Sequence, residues 1–111
     1  MEIEATSTDR NLLLEMKGEL DHHGARNALR ELELSIDAAL PKKLVLDLAG
    51  VTFMDSSGIG VLLNRYKQMK AGHTGFYGAG PQVMRVLKVA GILGLMNQYD
   101  SKEEAIYSRE V

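Results

Sequence analysis

Hydrophobic and polar residues alternate with two different periods along this chain, and the changes of period mark its secondary structure. Residues 3–7 and 12–16 form two short apolar stretches separated by turn-forming residues at 9–11, which predicts a β-hairpin ending at Gly18. Residues 44–48 form a nearly continuous apolar run, which is typical of a strand covered on both faces.

Elsewhere the apolar positions recur every three or four residues, which is the period of an amphipathic helix. One such helix follows Asp21, whose carboxylate is placed to accept a hydrogen bond from a first-turn N–H group, and it stops before Pro41. A second helix is predicted to begin at Ser57 and to end near Gly72, a residue suited to the position after a helix.

The last third of the chain continues the alternation of strands and helices. Residues 75–78 and 93–99 predict two further short strands. Pro81 suits the first turn of a third helix between them, because its missing N–H group has no helical partner there. Ser101 and Glu104 match a capping box, which predicts a fourth short helix.

The order of these elements predicts the fold class. Two strands, then helices alternating with strands, indicate an α/β fold in which about four helices pack against a mixed β-sheet. A turn is expected at Gly50, between the third strand and the segment that leads into the second helix. We expect one domain spanning residues 1–111, because no repeat, linker or low-complexity segment interrupts the pattern.

Composition narrows the possible functions. A chain of 111 residues, 45% of them hydrophobic, can bury a core without disulfides or a structural metal. The formal net charge of −2, with no basic tract, argues against a nucleic-acid partner. The sequence contains no cysteine, no apolar run long enough to span a membrane and no secretory signal, which together favour a cytoplasmic protein.

The most informative segment is residues 53–60, Phe-Met-Asp-Ser-Ser-Gly-Ile-Gly, where an apolar strand gives way to the start of a helix. Ser56 is expected at or beside the N-cap, with its hydroxyl bonded to a first-turn N–H group and room for a phosphate among the others. Gly58 and Gly60 are poor helix formers, so they suggest that backbone faces whatever approaches. Asp-Ser-Ser-Gly is also an ordinary start for a helix, so the local pattern leaves plain capping open.

The wider pattern adds a family resemblance. Gly-Glu-Leu-Asp at 18–21, Leu-Val-Leu-Asp-Leu at 44–48 and the segment 51–60 occur in the order found in STAS domains, and the chain resembles that family over nearly its whole length. More narrowly, it is similar to the anti-sigma factor antagonists of sporulation and the general stress response. Gly24 is a departure, because many relatives have Thr or another polar residue there.

The resemblance implies a regulatory protein that is not an enzyme and needs no cofactor. The unphosphorylated form would bind an anti-sigma factor that is also a serine kinase, and so free the sigma factor. Phosphorylation of Ser56 by that kinase would end the binding, and a PP2C-type phosphatase would restore it. We expect a monomer or weak dimer with neither nucleic acid nor membrane as partner. By the same resemblance, the partner-binding surface comprises Asp21, Asp55, Ser57, Gly58, Ile59 and Gly60.

Serine hydrolysis fits the sequence poorly. A nucleophile elbow requires glycine two residues before the serine, and those positions are held by Met54 for Ser56 and by Asp55 for Ser57. The histidines that a catalytic triad would need are assigned to loops instead.

The remaining alternatives are metal binding, nucleotide binding and a related regulatory role. His22 and His23 are adjacent, whereas helical metal ligands are usually four residues apart. The glycine-rich segment 72–80 contains neither a P-loop nor a dinucleotide fingerprint, although weak nucleotide binding stays open. The alternative function is a STAS partner-binding module in another phospho-relay or stress-signalling scaffold.

Overall fold

The computed structural model describes residues 1–8, 11–69 and 73–107, and within them strands and helices alternate as predicted. The predicted turn residues 9 and 10, and Gly72, lie outside the described residues. A short 3₁₀ turn, Ile92–Gly94, follows the third helix and was not predicted. The strands are β1 (Glu2–Thr8), β2 (Asn11–Leu20), β3 (Lys43–Met54), β4 (His73–Tyr77) and β5 (Asn97–Gln98), and the helices are α1 (His22–Ala39), α2 (Ser56–Gln68), α3 (Pro81–Val89) and α4 (Lys102–Tyr107).

The sheet has mixed direction, which confirms the predicted α/β class. Its strands lie in the order β1-β2-β3-β4-β5. β1 and β2 form the predicted antiparallel hairpin, whereas the later neighbours are parallel and are joined through helices. Parallel neighbours need such crossovers, since each connection must return to the starting edge of the sheet. All the carboxyl ends of β2, β3 and β4 therefore point to one edge.

The turn predicted at Gly50 is wrong. β3 continues through this residue to Met54, and Gly50 pairs with Lys17 of β2 beside a register shift. A Cβ on Gly50 would lie 2.6 Å from Cγ of Lys17 and 2.9 Å from the carbonyl oxygen of Met16. Glycine is required here by the close approach of β2, which allows the strand pair to continue to Leu20 and Met54.

The two faces of the sheet carry cores of different size. One face of the sheet and the inner sides of α1, α2 and α3 form the main core, in which alternate strand residues such as Leu12, Leu14, Leu44 and Leu46 are almost fully buried. The opposite face is covered in part by α4, around a small cluster of Leu13, Val45, Tyr77, Tyr99 and Ala105. No helix among the described residues is both long and apolar enough to cross a membrane.

Candidate functional site

The ends of β2 and β3 lie side by side at the carboxyl edge of the sheet. Leu20 and Met54, their last residues, are paired, and the amide nitrogen of Asp55 lies 3.5 Å from the carbonyl oxygen of Leu20. Each strand is followed at once by an aspartate and then by a helix. The pairing of the two strands therefore brings Asp21 and Asp55 close together.

Asp21 caps α1 as predicted. Its Oδ1 accepts hydrogen bonds from the amides of His23 at 3.1 Å and Gly24 at 2.9 Å. The Gly24 bond, and then the His23 bond, stabilise the carboxylate and lower the pKa of Asp21 from its ordinary value of 3.8, against an opposing effect of desolvation. This aspartate is therefore fixed at the amino end of α1.

The cap of α2 is Asp55 and not Ser56. Oδ1 of Asp55 accepts from the amides of Ser57 at 2.8 Å and Gly58 at 3.4 Å, and its backbone oxygen accepts from the amide of Ile59 at 3.2 Å. The expectation that the Ser56 hydroxyl bonds a first-turn N–H group is therefore wrong, because the aspartate one residue earlier already occupies that position.

Ser56 is the first residue of α2, so the helix begins one residue earlier than predicted. Its side chain is exposed at the carboxyl edge of the sheet, directly after the capping aspartate. Three successive first-turn N–H groups are already bonded to Asp55. A phosphate on the Ser56 hydroxyl would therefore find fewer free backbone donors than expected, and it would project into solvent near a carboxylate.

The two glycines of α2 differ in their surroundings. Gly58 is buried, and a Cβ there would lie 2.7 Å from both the carbonyl oxygen of Leu20 and Cγ of Met54. Its lack of a side chain therefore serves the packing of α2 against the two strand ends. Gly60 is exposed, and a Cβ there would have no atom within 4 Å. Among the described residues, nothing requires glycine at position 60.

Ser56 also borders an apolar groove between α2 and α3 that the sequence did not reveal. The groove has a volume of about 580 Å³. Val89 on its wall is 86% exposed, although α3 has a separate core-facing side with Val83 and Leu87. A second apolar stripe on α3, apart from its core-facing side, is the feature of the sequence that could have predicted this groove. Besides Ser56, the groove is lined by Ile59, Gln82, Arg85, Val86, Val89 and Ala90.

The three histidines lie at the starts of α1 and β4. His22 and His23 are exposed in the first turn of α1. His73 begins β4 beside Lys43, the first residue of β3, whereas Ser56 follows the last residue of that strand. Across the described parts of the chain, no group of three or more histidine, aspartate or glutamate side chains is arranged to hold a metal ion.

Comparison with known proteins identifies the family. The sequence profile of the STAS domain matches residues 2–105, nearly the whole chain. The chain belongs to the STAS domain family. This STAS domain is 35% identical over 102 residues to the anti-sigma F factor antagonist of Paenibacillus polymyxa, a match that covers 90% of this chain and 87% of that protein.

Solved structures agree with this assignment. The anti-sigma factor antagonist SpoIIAA in its unphosphorylated form is 27% identical, with a TM-score of 0.81 and coverage of 95% of this chain and 93% of that one. The Bacillus cell fate determinant SpoIIAA in the phosphorylated form is 26% identical, with a TM-score of 0.72 and coverage of 95% and 96%. The STAS fold and the resemblance inferred from the sequence are confirmed.

The Gly24 departure has a structural reason in this STAS domain. Gly24 is buried in the first turn of α1, and a Cβ there would collide with the carbonyl oxygen of Glu19. The end of β2 is therefore packed tightly against the first turn of α1. Threonine at this position would require the end of β2 and the start of α1 to lie further apart.

The two α2 glycines should respond in opposite ways to substitution by alanine. Gly60→Ala should raise the free energy of unfolding by about 1 kcal/mol, because alanine is the better helix former and meets no neighbour. Gly58→Ala should lower it by about 1–3 kcal/mol, because the new methyl group meets the backbone of Leu20. Urea denaturation of both variants makes the comparison, and equal effects would contradict the different roles assigned to them.

The lowered pKa of Asp21 predicts an acid-sensitive contribution to stability. The contribution is present above the pKa of the unfolded chain, near 3.8, and is lost as pH falls through the lower pKa of the folded state. Asp21→Asn keeps an acceptor oxygen but cannot ionise, so its unfolding midpoint should fall less steeply than that of the wild type below about pH 4.5. Thermal unfolding across this pH range measures the difference. Asp37→Asn, near the other end of α1, is the control, and an unchanged slope in Asp21→Asn would contradict the prediction.

Proposed function

We propose that this STAS domain is an anti-sigma factor antagonist controlled by phosphorylation of Ser56. In the unphosphorylated state it binds an anti-sigma factor serine kinase in the cytoplasm and so frees the sigma factor. The observation that carries the proposal is an exposed serine at the first position of a helix, directly after the aspartate that caps it. Relatives described as anti-sigma F factor antagonists, and SpoIIAA structures in both phosphorylation states, support it.

The surface around Ser56 suits a closely approaching partner. Ser56 and Gly60 are four residues apart and therefore share one face of α2. With no side chain at Gly60 and no atom near it, a partner can lie against the helix backbone one turn after the acceptor hydroxyl. Ser57 and Ile59 flank this face, and Ile59 leads into the apolar groove.

The capping aspartates make the site strongly sensitive to added negative charge. A phosphoserine carries about −1.5 to −2 charges near neutral pH. At Ser56 that charge would lie beside Asp55 and near the end of β2, where Asp21 follows. Because first-turn N–H groups already donate to Asp55, the helix would neutralise little of the phosphate charge.

The phosphate would therefore end binding by repulsion rather than by refolding. The backbone bonds and the Asp55 cap do not involve the Ser56 hydroxyl, so the fold needs no change on phosphorylation. After transfer, the phosphate would face the ADP left in the kinase, and the two groups repel each other. Exposure of the same side chain suits its later hydrolysis by a PP2C-type phosphatase.

Charge substitutions at Ser56 test this account. Candidate anti-sigma kinases from the same genome are titrated with the protein in a calorimeter. Ser56→Ala should bind as the wild type does and stay bound with ATP present. Ser56→Asp should bind more than about tenfold more weakly, since like charges brought together at an interface cost several kcal/mol. Ser7→Asp, on the exposed face of β1, is the matched control.

Full affinity of Ser56→Asp would contradict the repulsion mechanism, and failure of the wild type to bind any such kinase would contradict the antagonist function. Gly60→Gln provides a separate check on the surface. Position 60 is exposed and a Cβ there meets no atom within 4 Å, so the variant should fold, but its side chain should block the close approach and weaken binding.

A further inference from the structure

Gln82 links the first turn of α3 to the last residue of β3. Its Nε2 donates to the carbonyl oxygen of Met54 at 2.9 Å, and its Oε1 accepts from the amide nitrogen of Met54 at 3.1 Å. One side chain thus satisfies both backbone polar groups of a residue 28 positions earlier in the sequence. A primary amide suits this task because it carries a donor and an acceptor side by side.

The end of β3 needs such a partner. β4 pairs with β3 from Lys43 only as far as Asp47, so within the described strands β3 has no neighbour on this side over its last residues. A buried backbone group left unpaired costs about 1–3 kcal/mol, and Met54 has a fully buried side chain. Gln82 takes the place of the missing strand at this one residue.

The bonded residue lies two positions before the proposed acceptor. Met54 is followed by Asp55, which caps α2, and then by Ser56. On the other side Met54 is held by its pairing with Leu20. α3 itself is anchored in the core by Val83 and Leu87, so Gln82 connects a fixed helix to the segment that carries the acceptor.

We propose that Gln82 is a positioning residue for phosphorylation of Ser56, an inference that rests on the proposed function. In that reaction Oγ of Ser56 bonds to the γ-phosphorus of the ATP supplied by the kinase. The bond from that phosphorus to the oxygen bridging the β- and γ-phosphates breaks, ADP leaves, and the hydroxyl proton passes to a base on the kinase. Attack requires Oγ in line with the breaking bond, so a small displacement of the acceptor costs much of the rate.

Two variants remove the connection in different ways. Gln82→Ala deletes the amide, whereas Gln82→Glu keeps the length of the side chain but replaces the donor with a carboxylate that repels the carbonyl oxygen of Met54. Gln68→Ala is the matched control, because Gln68 lies at the far end of α2 and its amide donates to the exposed carboxylate of Asp37, at 3.4 Å. Backbone NMR spectra establish that each variant is folded.

The first measurement is hydrogen exchange of the Met54 amide in the free protein. It should become at least about tenfold faster in Gln82→Ala, which removes the oxygen that accepts from this N–H group, and it should stay unchanged in Gln68→Ala. An unchanged exchange rate in Gln82→Ala would overturn the inference at its structural step.

The second measurement separates binding from transfer. The candidate anti-sigma kinase that phosphorylates the wild type is saturated with each variant and ATP, and single-turnover phosphorylation is followed. We expect the transfer rate to fall about tenfold in the Gln82 variants with affinity changed less than about twofold. A wild-type transfer rate, or loss of affinity alone, would overturn the inference. If the wild type gains no phosphate on Ser56, the proposed function fails together with it.

Discussion

The parallel pairing of β2 with β3, continued to their last residues, is the constraint on which the rest of the site depends. It sets Leu20 beside Met54, so two segments of the chain leave the sheet side by side. Each continues through an aspartate that caps a helix. Gly50 and Gly58 make this pairing possible. β2 passes close to Gly50, and the ends of β2 and β3 pack against Gly58. A side chain at either glycine would separate the elements that form the site.

The arrangement also explains why Ser56, the proposed acceptor, is exposed. An aspartate at the N-cap satisfies successive amides of α2, which leaves the next residue free of any capping role. Ser56 is therefore presented at a helix start whose backbone is already satisfied, with the bare surface of Gly60 one turn beyond it. The hydrogen bonds of such a site are complete before any modification, and a change of charge is the simplest signal it can carry.

Much of the fold followed from periodicity alone, because each helix has an apolar face and each strand a short apolar run. Asp21 could be predicted as a cap since a helical pattern begins directly after it. The cap of α2 could not be assigned in the same way, because Asp55 and Ser56 are both good caps and only the end of β3 decides between them. The role of Gly50 was missed because a glycine in a turn and one crowded by a neighbouring strand look alike in sequence.

The contributions of α3 to the site could not be predicted from local sequence patterns. β4 runs parallel to β3, so α3 begins at the edge of the sheet where β3 ends, and this places Gln82 beside Met54. No local spacing predicts that contact. The apolar groove likewise requires two helices from distant parts of the sequence. Long-range contacts of this kind set the surroundings of the serine, whereas the motif itself was visible in the sequence.

Mapping phosphate on the wild-type chain by mass spectrometry, after incubation with ATP and each candidate anti-sigma kinase of the same genome, tests the central claim most directly. The account predicts a single phosphate on Ser56, none on the neighbouring Ser57, and release of the kinase once the phosphate is present. A phosphate on another residue, or a kinase that binds the protein tightly yet leaves Ser56 unmodified, would contradict it.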